Sequence, residues 1–140
     1  MMKKISLVTG CAGFIGSHMC DLLLQKKHKV IGIDNFISGK KKNLRYAFKN
    51  SNFTFFKGDL KNINIILKKV RKLDYVFHFA GHGELIPSIE NPFEYFQNNA
   101  LNTARLIDCI KNNFHLKKFI YAASSSCYGI QNNKTNENEK

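Results

Sequence analysis

Five short apolar runs alternate with amphipathic segments along this chain. Residues 5–8, 30–33, 53–56, 75–79 and 118–123 read as strands. Residues 14–27 read as a helix with Ile15, Met19, Leu22 and Leu23 on one face. A short helix is expected within residues 40–50, and another over 62–72 with Ile63, Ile66, Leu67 and Val70 inward. Asn91, Pro92 and Glu94 give the start signals of a long helix: a cap, a first-turn proline and an acid three residues after the cap. Phe93, Phe96, Ala100, Ile107, Ile110 and Phe114 predict a broad buried face for it. Strict alternation of strand and helix predicts an α/β fold, a parallel sheet with helices on both faces. Right-handed crossovers and a doubly wound strand order 3-2-1-4-5 follow. There is no internal repeat. Residues 131–140 hold no apolar side chain and read as a polar tail or loop.

Length and composition fit that picture. The chain has 140 residues, 44% apolar and 23% charged, room for one domain of the usual ~100–200 residues. No apolar run approaches the ~18 residues of a membrane span. The start Met1-Met2-Lys3-Lys4 leads into a stretch that breaks at Gly10, unlike a signal peptide. Cys11, Cys20, Cys109 and Cys127 form no C-x-x-C, which predicts reduced thiols in a cytoplasmic protein. His78 and His82 are four apart, but the first ends a strand and glycines flank the second, so no metal site is expected. The net charge of +12 invites a nucleic-acid reading. Yet 19 of the 22 basic residues are lysines in scattered pairs and triplets, with no basic stripe interleaved with aromatics, so a solvated basic surface is expected instead.

Candidate chemistry concentrates where the first strand meets the first helix. Gly10, Gly13 and Gly16 are spaced by three in a strand–turn–helix context. The first suits a tight turn, the second lets backbone approach a pyrophosphate, and the third lets helix and strand pack closely. The helix N-terminus offers unpaired N–H groups to phosphate. Asp34 ends the second strand eighteen residues past Gly16, where a carboxylate can accept from an adenosine ribose and repel a 2′-phosphate. That favours NAD over NADP, with Lys40, Lys41 and Arg45 nearby as a counterweight. Asp59 follows the third strand, as a helix cap, an adenine contact or both. Small residues after His78 would let a cofactor cross the carboxyl edge of the sheet.

These features, with Asp34-Asn35-Phe36, Gly58-Asp59-Leu60, His78-Phe79-Ala80-Gly81, Asn98 and residues 124–129, resemble the NAD-dependent epimerase/dehydratase family, nearest its UDP-glucose and UDP-N-acetylglucosamine 4-epimerases. The resemblance implies a Rossmann-type three-layer fold over residues 1–130, incomplete at its C-terminal edge after strand five, with the C-terminal substrate domain absent. It implies NAD contacts at Gly10, Gly13, Phe14, Ile15, Gly16, Asp34, Asn35, Ser38, Gly39, Asp59, Leu60, Phe79, Ala80, Gly81 and Asn98. It implies that Ser124 hydrogen-bonds the 4-hydroxyl of a nucleotide sugar, a UDP-sugar in the nearest relatives, and that full-length relatives pair as homodimers through the long helix. The chemistry implied is oxidation at the sugar C4 by NAD, rotation of the keto intermediate and return of hydride to the other face. A dehydratase, decarboxylase or reductase of the same family, or a non-catalytic NAD-binding module, stands as the alternative. The family's Tyr-x-x-x-Lys pair is missing: Tyr46, Tyr75, Tyr95, Tyr121 and Tyr128 are followed four residues on by Asn50, Phe79, Asn99, Ser125 and Asn132. Gly83 stands where some epimerases carry lysine, Ala123 replaces a common serine, and Asn102 replaces a common glycine.

Overall fold

Strand β1 (Ile5–Thr9) forms the middle of the sheet, and its side chains are almost wholly buried. On one side it pairs with β2 (Lys29–Asp34), which pairs with β3 (Phe53–Lys57). On the other it pairs with β4 (Tyr75–His78), which pairs with β5 (Lys118–Tyr121). All four pairings are parallel and the order is β3-β2-β1-β4-β5, as the alternation predicts. The structure is a computed structural model that describes residues 3–124. The polar segment 131–140, Tyr128 and residues 125–127 lie outside the described residues.

Successive side chains of a strand face opposite ways, and two cores result. Leu7, Ile31, Ile33 and Val76 meet helices α2 (Ile63–Leu67) and α5 (Asn102–Asn113) through Ile63, Leu67, Leu106, Cys109 and Ile110. Val8 and Val30 meet helix α1 (Phe14–Gln25) through Cys20, Leu23 and Leu24, with Leu44 and Ala47 completing that side. The latter two sit in 3₁₀ turns, Lys41–Leu44 and Ala47–Lys49, where one short helix was expected. Helix α2 is shorter than its pattern suggests. The chain enters it through a 3₁₀ turn at Leu60–Asn62 and leaves it by an i→i+3 bond from Val70 N–H to the Leu67 carbonyl.

Two predicted helix faces need correction. In α1 the inward residues are Gly16, Ser17, Cys20, Leu23 and Leu24, while Ile15 and Leu22 face solvent. The cause is Gly16. A Cβ there would lie 2.2 Å from the Gly10 carbonyl oxygen, so the bare backbone of Gly16 abuts the loop and sets the rotation of the helix.

The long helix is three pieces: helix α4 (Pro92–Phe96), a π-helical turn (Gln97–Leu101) and α5. A π turn holds more than 3.6 residues, so a face counted from Phe93 does not continue into α5. The buried residues of α5 are Asn102, Leu106, Cys109 and Ile110, while Phe93 and Phe96 are 70% and 58% exposed. Asn91 makes no side-chain cap. It ends helix α3 (Leu85–Glu90), a helix the pattern did not predict, and opens α4 through its carbonyl, which accepts from Tyr95 N–H. No helix among the described residues is long and apolar enough to cross a membrane.

Candidate functional site

Strand order reverses beside β1, and an open α/β sheet binds ligands outside the carboxyl ends of its strands at such a switch point. Here the chain ends of β1 and β4 come close. Gly10 has φ +65°, and a Cβ on it would lie 2.7 Å from the Ala80 nitrogen. Only glycine meets both demands without strain. Gly13 is the N-cap of α1, and among the described residues no side chain caps that helix. The N–H groups of its first turn therefore have no acceptor within the helix.

A cleft with about 600 Å³ of open space lies over this edge. Gly10, Gly13, Asp34, Asn35, Ser38, Asp59, Leu60, Phe79, Ala80, Gly81 and Asn98 line it. The structure thus brings eleven of the sequence-predicted cofactor residues to one cleft. Four others do not line it. Phe14 and Ile15 turn their side chains to solvent, 79% and 59% exposed, so only their backbone N–H groups are left to serve a phosphate. Gly16 is buried under the loop, and Gly39 sits against the Asp34 carboxylate, where a Cβ would be 2.8 Å from Oδ1.

Asp34 is almost buried, and both of its carboxylate oxygens help to shape the site. Its Oδ2 accepts from Ala12 N–H at 2.8 Å and its Oδ1 from Phe36 N–H at 2.8 Å. The carbonyl of Ala12 is held as firmly, by Lys40 N–H at 3.0 Å and by the Asn43 side-chain amide at 2.8 Å. The glycine loop is therefore clamped through both the N–H and the carbonyl of Ala12. A carboxylate offers about four acceptor positions, and among the described residues two on Asp34 are filled, which leaves two for a ligand.

Beneath the cleft a directed chain of hydrogen bonds crosses the sheet. His78 is fully buried, its Nδ1 2.6 Å from Thr9 Oγ1 and its Nε2 2.8 Å from Thr103 Oγ1. Thr103 donates to the Asn99 carbonyl, so it accepts from His78 Nε2–H, and Thr9 donates to Nδ1. Ala80 N–H in turn donates to Thr9 Oγ1 at 3.3 Å. Every member is satisfied only with the imidazole neutral, and burial lowers the pKa of His78 to about 4. Both ring nitrogens are taken, which leaves none for a metal.

The Asn99 side chain continues the construction. It accepts from His82 N–H at 2.7 Å and donates to the His82 carbonyl at 2.8 Å. Asn98, its neighbour in the π turn, faces the first cleft. Two consecutive asparagines inside a predicted helix, where asparagine is a poor former, are the sequence signal that could have flagged this turn.

A second cleft adjoins the first beyond Gly81. Ser124, Tyr121, Tyr95, His82 and Asn99 border it. Ser124 thus stands away from the glycine loop, next to the Phe79–Gly81 segment that both clefts share. Cys11 lies under the loop, but its thiol is no nucleophile. The hydrogen bond with the Cys20 thiol, followed by burial, drives its pKa far above the ordinary value. Sequence reasoning missed Asn43, Asn99 and Thr103, whose roles depend on contacts 17 to 31 residues away.

The switch-point cleft, the glycine loop and the acid at the end of β2 define a dinucleotide-binding α/β protein. A sequence model of the NAD dependent epimerase/dehydratase family matches residues 6–140, and the chain belongs to that family. NAD is the cofactor of this family. The chain is 39% identical over 139 residues to an uncharacterized UDP-glucose epimerase, YtcB, of Bacillus subtilis, covering 94% of this chain and 43% of that one. Among solved structures it resembles a UDP-N-acetylglucosamine 4-epimerase from Methanobrevibacter ruminantium M1 in complex with UDP-N-acetylmuramic acid, with TM-score 0.83, 40% identity and coverage of 99% of this chain and 44% of that one. It also resembles a UDP-glucuronic acid 4-epimerase from Bacillus cereus in complex with UDP-glucuronic acid and NAD, with TM-score 0.83, 34% identity and coverage of 97% and 45%. The chain spans less than half the length of each of these three relatives.

Proposed function

We propose that residues 1–130 are the NAD-binding unit of a nucleotide-sugar 4-epimerase. The observation that carries the reading is the convergence of the uncapped α1 N-terminus, Asp34 and Asn98 on one cleft at the strand switch point. Three relatives whose names specify UDP-sugar epimerases support the substrate class. Bound in the cleft, NAD supplies the redox partner for oxidation and re-reduction at the sugar C4.

The chain's own residues divide the remaining work. First-turn N–H groups of α1 bind the pyrophosphate. The free acceptor positions of Asp34 take the ribose hydroxyls of the adenosine end. The Phe79–Gly81 segment lets the cofactor pass from the first cleft to the second. Ser124, in the second cleft, orients the 4-hydroxyl of the sugar. Proton removal from that hydroxyl needs a general base, and no tyrosine of this chain has a lysine four residues later. The chain by itself therefore binds cofactor without turning over sugar.

Amide NMR of the 140-residue chain tests the assignment. Adding NAD should shift the N–H signals of Phe14, Ile15 and Gly16 together with those of Asn35 and Ser38. Shifts elsewhere that leave all five of these signals unmoved would overturn it.

A further inference from the structure

We propose that Asn102 is a positioning residue that fixes the Asp59 carboxylate so that the cleft selects a 6-amino purine over a 6-oxo purine. This rests on the reading that the cleft holds the adenosine end of NAD. Asn102 lines that cleft and is only 5% exposed.

Three donors converge on Asp59. Its Oδ1 accepts from Lys61 N–H at 2.9 Å and from Asn102 Nδ2 at 3.4 Å. Its Oδ2 accepts from Asn35 Nδ2 at 3.2 Å. A carboxylate has about four acceptor positions. Among the described residues three are filled, which leaves one on Oδ2 for a ligand.

The orientation of both amides is enforced. An amide oxygen only accepts, and a guanidinium or backbone N–H only donates. Arg105 Nη1 donates to Asn102 Oδ1 at 3.0 Å, so the Nδ2 end of Asn102 faces Asp59. Its second Nδ2 hydrogen goes to Asn98 Oδ1 at 3.4 Å. Ile37 N–H donates to Asn35 Oδ1 at 3.1 Å, and that turns the Nδ2 of Asn35 toward Asp59 as well. The carboxylate is thereby held at both oxygens by groups that cannot reverse.

The chemical consequence is discrimination at one edge of the base. The amino group of adenine can donate to the remaining position. Hypoxanthine carries a carbonyl oxygen there, which a carboxylate repels, and its donor N1–H lies at a different place on the ring. A pinned carboxylate cannot move to reach it. A carboxylate freed from Asn102 can, and the discrimination shrinks.

The test is calorimetric titration of the 140-residue chain with NAD and with nicotinamide hypoxanthine dinucleotide. The unaltered chain should bind NAD more tightly by about 10-fold or more, the scale of one hydrogen bond to a charged group. Asn102→Ala should cut that ratio to about 3-fold or less by loosening the carboxylate. Arg105→Ala, at an exposed position, should shift the ratio the same way while leaving the core intact. A ratio unchanged in both variants, or equal affinities in the unaltered chain, would overturn the role of Asn102 and leave NAD binding standing. Absence of NAD binding by the folded, unaltered chain would instead overturn the cofactor reading beneath it.

Discussion

The carboxylate of Asp34 lies 2.8 Å from the amide nitrogen of Ala12, a hydrogen bond between the end of β2 and the middle of the glycine loop. The residue expected to read the ribose is thus also a structural tie for the phosphate loop. Its other oxygen holds Phe36 N–H, whose residue has φ 64°, a backbone conformation unusual for a bulky side chain. One carboxylate therefore joins the loop, the strand end and a strained turn.

Asp34→Asn should consequently cost stability as well as cofactor preference. The new amide has one acceptor oxygen where the carboxylate had two, so one of the two backbone donors faces an NH₂ group. The expected loss is about 1–3 kcal/mol, the cost of stranding a buried donor. Asp34→Ala strands both donors and should lose more. Urea unfolding measures each, and a variant as stable as the parent would refute the tie.

Gly16→Ala should be among the most damaging single substitutions in the chain. The added Cβ would sit 2.2 Å from the Gly10 oxygen and 2.9 Å from Cys11 Cα, both backbone atoms. Relief requires moving α1 off the loop, at a cost of about 1–3 kcal/mol or more. Gly83→Ala meets nothing within 4 Å and serves as the control, expected within about ±0.5 kcal/mol of the parent. Equal effects of the two would refute the packing account of α1.

Stability should fall as pH drops from 6.5 toward 4. His78 ordinarily titrates near 6.5, and burial lowers that to about 4 in the folded chain. Between those values the unfolded chain binds a proton that the folded chain excludes. Stability is therefore fully present above 6.5 and declines by about 3 kcal/mol by pH 4. His28 is also lowered, by burial and by Lys4, and adds to the same trend. Melting His78→Asn beside the parent isolates the larger contribution. The variant should lose stability less steeply in this window, and parallel curves would contradict the buried neutral imidazole.

Incubating the chain with UDP-galactose and NAD should give no epimerised product at an ordinary rate. Loss of a general base typically costs ~10²–10⁴-fold. Turnover near ~1 s⁻¹ would show that another group of the chain takes the proton of the sugar hydroxyl.

The strand order and the glycine loop were legible because their signals are local: apolar runs, turn residues and fixed spacings. The rotation of α1 was not, because Gly16 buries bare backbone, and hydrophobic periodicity counts only side chains. The face of α5 was lost for a different reason, the π turn over Gln97–Leu101, which breaks the 3.6-residue count. Within the site, single residues at strand ends could be placed from sequence, as Asp34 and Asp59 were. The amide arrangement around them could not. Asn102 reaches Asp59 across 43 residues, and nothing local predicts which end of its amide faces inward.

The proposed function requires that the first cleft bind NAD through the glycine loop and Asp34. Calorimetric titration of the folded 140-residue chain with NAD and with NADP tests it most directly. Both should bind saturably, NAD more tightly because the 2′-phosphate of NADP meets the Asp34 carboxylate, and the gap should narrow in Asp34→Asn. Equal affinities in the parent would contradict the role of Asp34, and no heat from either dinucleotide would contradict the site itself.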